Sequence, residues 1–147
     1  MIEGLHHVAL GVEDLDAAIS FYEAAFAAEV VQQSAFEAVA QVDAAIGLKA
    51  AAARMAMLRL SNAHVELWEY RQPAPRDRRS DPNDLGYPHI ALQVTDIEAE
   101  HKRLSGVGMQ FVGPPVTFAS GAKAIYGRDP FGNVIELYEP DAASAQI

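Results

Sequence analysis

Leu5-His6-His7-Val8-Ala9-Leu10-Gly11-Val12-Glu13-Asp14-Leu15 and Pro88-His89-Ile90-Ala91-Leu92-Gln93-Val94-Thr95-Asp96-Ile97 decide how this chain is read, because the second stretch restates the first. His7 aligns with His89, Ala9 with Ala91, Leu10 with Leu92, Val12 with Val94 and Asp14 with Asp96. A second pair repeats further on: His64-Val65-Glu66-Leu67-Trp68-Glu69-Tyr70 and Val134-Ile135-Glu136-Leu137-Tyr138-Glu139-Pro140. Each half opens on a histidine strand and closes on a glutamate strand.

Outward from these anchors, the chain fills in by periodicity. Residues 4–12 read as a strand in which Val8, Leu10 and Val12 alternate with His7, Ala9 and Gly11. A slip of one residue would exchange the faces, so the alternation assigns one side to the core. The other side carries His7 among small neighbours. Asp14 reads as an N-cap, with Ala17 rather than Glu at N3, and Leu15, Ala18, Ile19, Tyr22 and Phe26 recur at helical spacing over 15–27. Strands are expected at Val30–Phe36, Arg54–Leu60 and His64–Tyr70, with a turn at Ser61-Asn62. In the last of these, Val65 and Leu67 share one face and His64, Glu66 and Trp68 the other. The alanine-rich stretch 37–53 is read as a lid or irregular insertion over one end of the site.

The charged, proline-punctuated stretch 71–86 reads as a linker whose charges, Arg71, Arg76, Arg78 and Arg79 among them, are solvated surface, with contact to a substrate phosphate or carboxylate as the alternative. The pattern then restarts. Ile90, Leu92 and Val94 mark a core face, with His89 and Ala91 opposite, and Asp96 caps a helix to about Leu104 that stops near Gly106 and Gly108. Strands follow at Met109–Val112, Lys123–Tyr126 and 134–139, with a loop through Gly113-Pro114-Pro115 and a turn at Asp129-Pro130-Phe131-Gly132-Asn133. The domain reading is a first module over 1–70, a linker over 71–86, a second module over 87–140 and a frayed tail over 141–147. Each module reads βαβββ. Neither buries a sheet face alone, so an α+β fold follows, with the two modules paired into one curved mixed sheet. His7, His89, Glu66 and Glu136 then occupy equivalent positions facing a central cleft.

Bulk properties narrow the function. The 147 residues carry a net charge of −9 with no cysteine, and half of them are hydrophobic. The acidic balance speaks against nucleic acid. No thiolate is available for disulfide or metal. No apolar run approaches the ~20 residues of a membrane span, and the start lacks the pattern of a secretory leader, so the expected setting is the cytosol, away from membranes.

The paired His-[Val/Ile]-Ala-Leu-x-Val-x-Asp-[Leu/Ile] openings, Phe21-Tyr22 in the first helix, and the Asp129-Pro130-x-Gly132-Asn133-x-Ile135-Glu136-Leu137 ending resemble the vicinal oxygen chelate superfamily, whose members include glyoxalase I, methylmalonyl-CoA epimerase, extradiol dioxygenases and antibiotic-resistance proteins. The resemblance spans nearly the whole chain. It implies paired βαβββ modules and a divalent metal, with the metal positions falling on His7, Glu66, His89 and Glu136, a set similar to that of bacterial glyoxalase I. Ala9 and Gly11 leave the first strand without a cation, which departs from the glutathione-binding arginines of glyoxalase I.

The residue types agree with that implication. A single strand histidine is most often a structural one. Two at equivalent places in a repeat, each answered by a glutamate, point instead to a metal site. Two imidazoles and two carboxylates suit zinc, nickel, cobalt, manganese or iron. Such an ion polarises a chelated carbonyl, and a carboxylate beside it removes the adjacent proton. Glu136 is the expected base and Glu66 the alternative. Trp68 and Tyr138 flank the glutamates on the same face, and with His64, Tyr126 and Arg128 they are candidates for the substrate pocket. His6 reads as structural on the apolar face, His101 as surface, and Glu69 and Glu139 point away from the site. The expected activity is that of a metal-dependent isomerase or lyase acting α to a carbonyl of a small molecule, in a homodimer. A dioxygenase of the same fold, for which Glu66 would be dispensable, and a non-catalytic drug-binding protein are the alternatives.

Overall fold

The computed structural model describes residues 1–79 and 81–141. The expected frayed tail therefore lies, from residue 142 onward, outside the described residues. The chain forms two compact units, Met1–Asp77 and a second that begins at Arg78.

The first unit runs β1 (Val8–Gly11), α1 (Leu15–Phe26), β2 (Glu29–Glu37), α2 (Ala40–Ile46), β3 (Ala52–Arg59) and β4 (His64–Gln72). Its sheet has the order β1-β4-β3-β2, with β1 parallel to β4 and the other pairs antiparallel. The second unit runs β5 (Ile90–Gln93), α3 (Ile97–Gly106), β6 (Gln110–Phe111), β7 (Val116–Thr117), β8 (Lys123–Arg128) and β9 (Val134–Glu139). Its order, β5-β9-β8-β6, is the same topology, with β5 parallel to β9 and β7 added against β8. The α+β class and the repeated βαβββ plan therefore hold.

One helix in each unit covers the apolar sheet face. α1 lies against β3 and β4, and α3 against β9 and β6. Leu15, Tyr22, Leu58 and Leu67 are fully buried in the first unit, and Ile97, Leu104, Ile135 and Leu137 in the second. Each such side chain contributes about 1.5–3 kcal/mol through removal from water. The helix starts follow the sequence. The Asp14 carboxylate accepts the Ala17 N–H at 3.0 Å and Asp96 accepts that of Ala99 at 3.1 Å, which satisfies N–H groups that the first helical turn leaves unpaired.

Several expectations need correction. The strand read over 4–12 is paired over Val8–Gly11, where the parallel register runs from Val8 opposite Val65 to Gly11 opposite Trp68, and Val12 adds one bond, its N–H donating to the Trp68 carbonyl at 2.9 Å. β4 begins at His64, so residues 4–6 have no β4 residue to pair with. Arg71 and Gln72, read as linker, extend β4, while Met109 and Val112 drop out of the short strand β6. Within 37–53, α2 forms and ends at Gly47, whose φ of 70° suits a left-handed cap. Asp43 then fastens the return to β3 by accepting the N–H groups of Ala50 at 2.7 Å and Ala51 at 2.9 Å. His6 is exposed rather than on a core face. His101 is half-buried, donating to the Gly113 carbonyl at 3.0 Å with its ring centroid 4.5 Å from that of Phe111.

In the second unit the Asp129–Asn133 turn is built on a buried carboxylate. Asp129, 3% exposed, accepts from the N–H groups of Phe131 and Asn133 and from the Asn133 side-chain amide. Three donors meet the need of a buried charge for hydrogen bonds. The charged stretch before β5 is exposed, as expected, yet it is tied to this turn: Arg79 donates to the Phe131 carbonyl, and Asp81 pairs with Arg128.

Candidate metal and substrate site

In both units the parallel strand pair carries the candidate residues in one register. Ala9 lies opposite Glu66, and Ala91 opposite Glu136. His7 and His89 each stand two residues before that alanine, so the strand period of two turns imidazole and carboxylate to the same side. The alanine leaves the space between them open. The buried neighbours Val65 and Leu67, and Ile135 and Leu137, hold the opposite side of the glutamate strands against the helices.

Each unit by itself brings its two candidates together. His7 Nε2 lies 3.4 Å from Glu66 Oε2, and His89 Nε2 lies 3.1 Å from Glu136 Oε2. The glutamates are mostly buried, with side chains 12% and 14% exposed. The next glutamates along, Glu69 and Glu139, have different partners. Glu69 pairs with Arg54 and Arg71, and Glu139 with Lys123. Each also accepts the first backbone N–H of a helix, Leu15 at 2.9 Å and Ile97 at 2.6 Å. They point away from the histidines, as the alternation requires, and the sequence carried a sign of their role in the glutamate that recurs three positions after each site glutamate.

The chemistry of these pairs fits a divalent ion. Two ligand atoms ~2.1 Å from one ion and ~90–110° apart are separated by about 3.0–3.4 Å, the spacing found in each pair. Imidazole nitrogen and carboxylate oxygen are ligands for the first-row ions. Among the described residues no group of three or more such side chains gathers as a metal cluster; the donors come as two pairs, one in each unit. His89 Nδ1 is buried with no hydrogen-bond partner.

The surroundings differ between the pairs. In the first unit the Trp68 indole N–H donates to Glu66 Oε2 at 2.6 Å. The indole stacks on Tyr70, centroids 5.3 Å apart and planes at 14°, and meets Phe36 edge-on at 5.9 Å. Ala9, Leu10, Gly11, Glu66, Trp68 and Tyr70, with Ile46 from α2, line an open cleft of about 340 Å³. Burial, and then the Glu66 charge, raises the Tyr70 phenol above its ordinary pKa. His6 Nδ1 is 2.9 Å from His7 Nδ1, and the His6 ring stacks on His64, centroids 5.9 Å apart. In the second unit Tyr126 lies opposite Glu136 in the β8–β9 pairing and sets its ring edge-on to His89 at 5.0 Å. Burial, and then the charge of Glu136, raises the Tyr126 phenol. Tyr138 takes the place of Trp68, opposite Gln93 where Trp68 is opposite Gly11. Arg128 is held by the Gly132 carbonyl at 2.7 Å and by Asp81 at 3.3 Å. Phe36, Ile46 and Tyr70 were not singled out from the sequence. Tyr70 shares the face of Glu66 and Trp68 by alternation; the other two arrive from β2 and α2, where no local pattern announces them.

A family model, the Glyoxalase/Bleomycin resistance protein/Dioxygenase superfamily, matches residues 4–137. The chain is 35% identical over 146 residues to a 2-epi-5-epi-valiolone epimerase from Actinomyces sp, an alignment covering 90% of this chain and 77% of the relative. A glyoxalase family protein from Bacillus cereus superposes with a TM-score of 0.85 at 27% identity, covering 95% of both chains. The fosfomycin resistance protein FosX from Listeria monocytogenes, solved with Mn(II) and sulfate, superposes at 0.65 with 21% identity over 97% of both chains and shares the fold. No helix among the described residues is long and apolar enough to cross a membrane.

Proposed function

The chain belongs to the Glyoxalase/Bleomycin resistance protein/Dioxygenase superfamily, and on that premise we propose that it is a metal-dependent epimerase of a small hydroxylated ketone. The observation that carries this reading is the repeated pair. At the same register of two separate sheets, an imidazole nitrogen lies 3.4 Å or 3.1 Å from a carboxylate oxygen. His7, Glu66, His89 and Glu136 are the proposed ligands, two donors from each unit, whether the two units that serve one ion come from one chain or from two copies in a homodimer. The relative at 35% identity supports the epimerase assignment over the lyase and dioxygenase alternatives. Its name specifies a ketone substrate and an inversion at one carbon.

A divalent ion held by these residues supplies Lewis acidity to a ketone oxygen, which makes the neighbouring C–H more acidic. The protein groups do the rest. Glu136, as carboxylate, is the proposed base that takes the proton from the carbon next to the ketone. Tyr126, its phenol raised by burial and by the charge of Glu136, stands opposite that carboxylate and walls its side of the site. The electron pair of the broken C–H bond passes into the enolate, and a proton returned to the opposite face inverts the centre with no net change in atoms or charge. That proton comes back from Glu136 itself or from Glu66; Glu66 would deliver it as the carboxylic acid, and a proton passing through solvent from Glu136 to Glu66 would then reset both groups. The cleft beside Glu66, walled by Trp68 and Tyr70, offers an aromatic surface for the C–H face of a ring. Among the described residues that line it there is no lysine or arginine, which suits an uncharged polyol better than a phosphate ester.

The test is proton exchange in D2O. With manganese present and 2-epi-5-epi-valiolone as substrate, the protein should place one deuterium at the carbon next to the ketone and form the epimer. Glu136→Gln should lower the rate by at least ~10²-fold, the usual scale of a general base. Turnover undiminished after chelation of the metal, or an unaffected Glu136→Gln, would remove the reading.

A further inference from the structure

Trp68 is the one tryptophan of the chain, and its indole N–H ends on Glu66 Oε2 at 2.6 Å. An indole N–H donates and never accepts, so this bond gives Glu66 a partner that cannot take a proton from it or exchange roles with it. The short contact is of the kind a charged acceptor makes. The ring is itself held. Tyr70 stacks on it at 14°, and Phe36 meets it edge-on at 69°. The second unit has no such arrangement. Tyr138 stands at the equivalent place, and the residue opposite Glu136 is Tyr126 from the neighbouring strand. Opposite Glu66 the corresponding residue is Met57, which has no polar hydrogen to offer. The repeat therefore surrounds its two site glutamates differently: one has a fixed N–H donor two residues along its own strand, and the other faces a tyrosine on β8.

We propose that Trp68 is a positioning residue for Glu66, holding its carboxylate in one rotamer next to His7 and so setting the affinity of the first unit's donors for a divalent ion. This rests on the reading of Glu66 as a metal ligand. A partner that orients a ligand is ordinarily worth about tenfold to a hundredfold in metal affinity.

The experiment uses the full chain, Mn²⁺ as the probe, and the wild type, Trp68→Phe, Glu66→Gln and the double variant. Phe keeps an aromatic ring against Tyr70 and loses the N–H together with one of the two fused rings; the Glu66→Gln background separates the two losses, because only the first acts through Glu66. Trp68→Phe should weaken Mn²⁺ binding about tenfold to a hundredfold in the wild-type background and change it little in the Glu66→Gln background. The single indole ¹H–¹⁵N resonance supplies a second readout that needs no Trp68 variant. It should exchange slowly with solvent in the wild type and quickly in Glu66→Ala, which leaves the indole N–H no side-chain acceptor at that position. Affinity of Trp68→Phe within about twofold of wild type, an equal loss in both backgrounds, or an indole N–H that exchanges freely in the wild type would each overturn the assignment of Trp68 while leaving the metal site standing. A wild type that binds no Mn²⁺, or a Glu66→Gln protein that binds it as the wild type does, overturns the metal reading and this inference with it.

Discussion

Glu139 Oε2 accepts the backbone N–H of Ile97, the first residue of α3, at 2.6 Å across a large gap in sequence. Glu69 does the same for Leu15 at 2.9 Å in the first unit. The closing strand of each repeat thus caps the helix that follows the opening strand. Asp14 and Asp96 serve the N–H groups further in, so helix start, sheet and cap form one unit of structure. Glu69→Ala should cost about 1.5–3 kcal/mol, the range for a part-buried hydrogen bond to a charged group, and Glu69→Gln less, since the amide oxygen still accepts. Urea denaturation with an unchanged m-value is the measure. A loss under ~0.5 kcal/mol, the size of an ordinary surface change, would make the cap incidental.

A bound ion should also show in stability. An ion that binds the folded chain alone adds about 2.7 kcal/mol when present at a hundred times its dissociation constant. Chelation should lower Tm, and added Mn²⁺ should restore it. His7→Ala and His89→Ala should each remove most of the ion-dependent part while leaving a folded chain. A Tm indifferent to both chelator and Mn²⁺ would contradict the four-ligand reading.

The acid limb of stability should carry a contribution from Glu100. Its carboxylate is held below the ordinary range by its hydrogen bonds with Arg103, which donates to both oxygens. A folded-state pKa below the unfolded one gives stability that is present above about pH 4.3 and lost as pH falls through the folded value. Arg103 is exposed and Glu100 is partly so, at 44% and 29% of their side-chain surface, so solvent screening keeps the contribution to about 0.5 kcal/mol or less. Glu100→Gln should flatten the stability–pH curve below that point and lower stability at pH 7 by this small amount, the two proteins converging in acid. A steeper acid limb in the variant would reverse the sign and refute the assignment.

Gly127 on β8 has no room for a side chain. A Cβ there would lie 2.7 Å from Phe111 Cδ1 and 3.1 Å from the Gln110 carbonyl oxygen. Because one of these atoms is backbone and the ring packs against His101, the neighbours cannot simply swing aside. Gly127→Ala should destabilise by about 1–3 kcal/mol, as overpacking does, and Phe111→Leu in the same chain should recover part of the loss. Equal stability of Gly127→Ala and wild type in thermal melts would show that β6 moves freely.

Much of the fold was legible because its signals are local. Alternation at His7–Val12 and His64–Tyr70 reports which side of a strand faces the core, and Asp14 and Asp96 report where a helix begins, since a cap needs only residues within one turn. Repetition of both signals determined two βαβββ halves and put each histidine on the same side as its glutamate. Local patterns do not say which strand ends find a neighbour. That is why the expected strand over 4–12 shortened to Val8–Gly11 and why β7 came unannounced from a proline-containing loop.

What only the tertiary structure decided are the relations between distant residues. The parallel register sets Ala9 beside Glu66 and Ala91 beside Glu136; Glu69 and Glu139 reach back to helix starts; Phe36, Trp68 and Tyr70 form one aromatic cluster. Each depends on which elements become neighbours when their apolar faces are buried together. That choice belongs to the packing of the whole unit, and no window of sequence contains it.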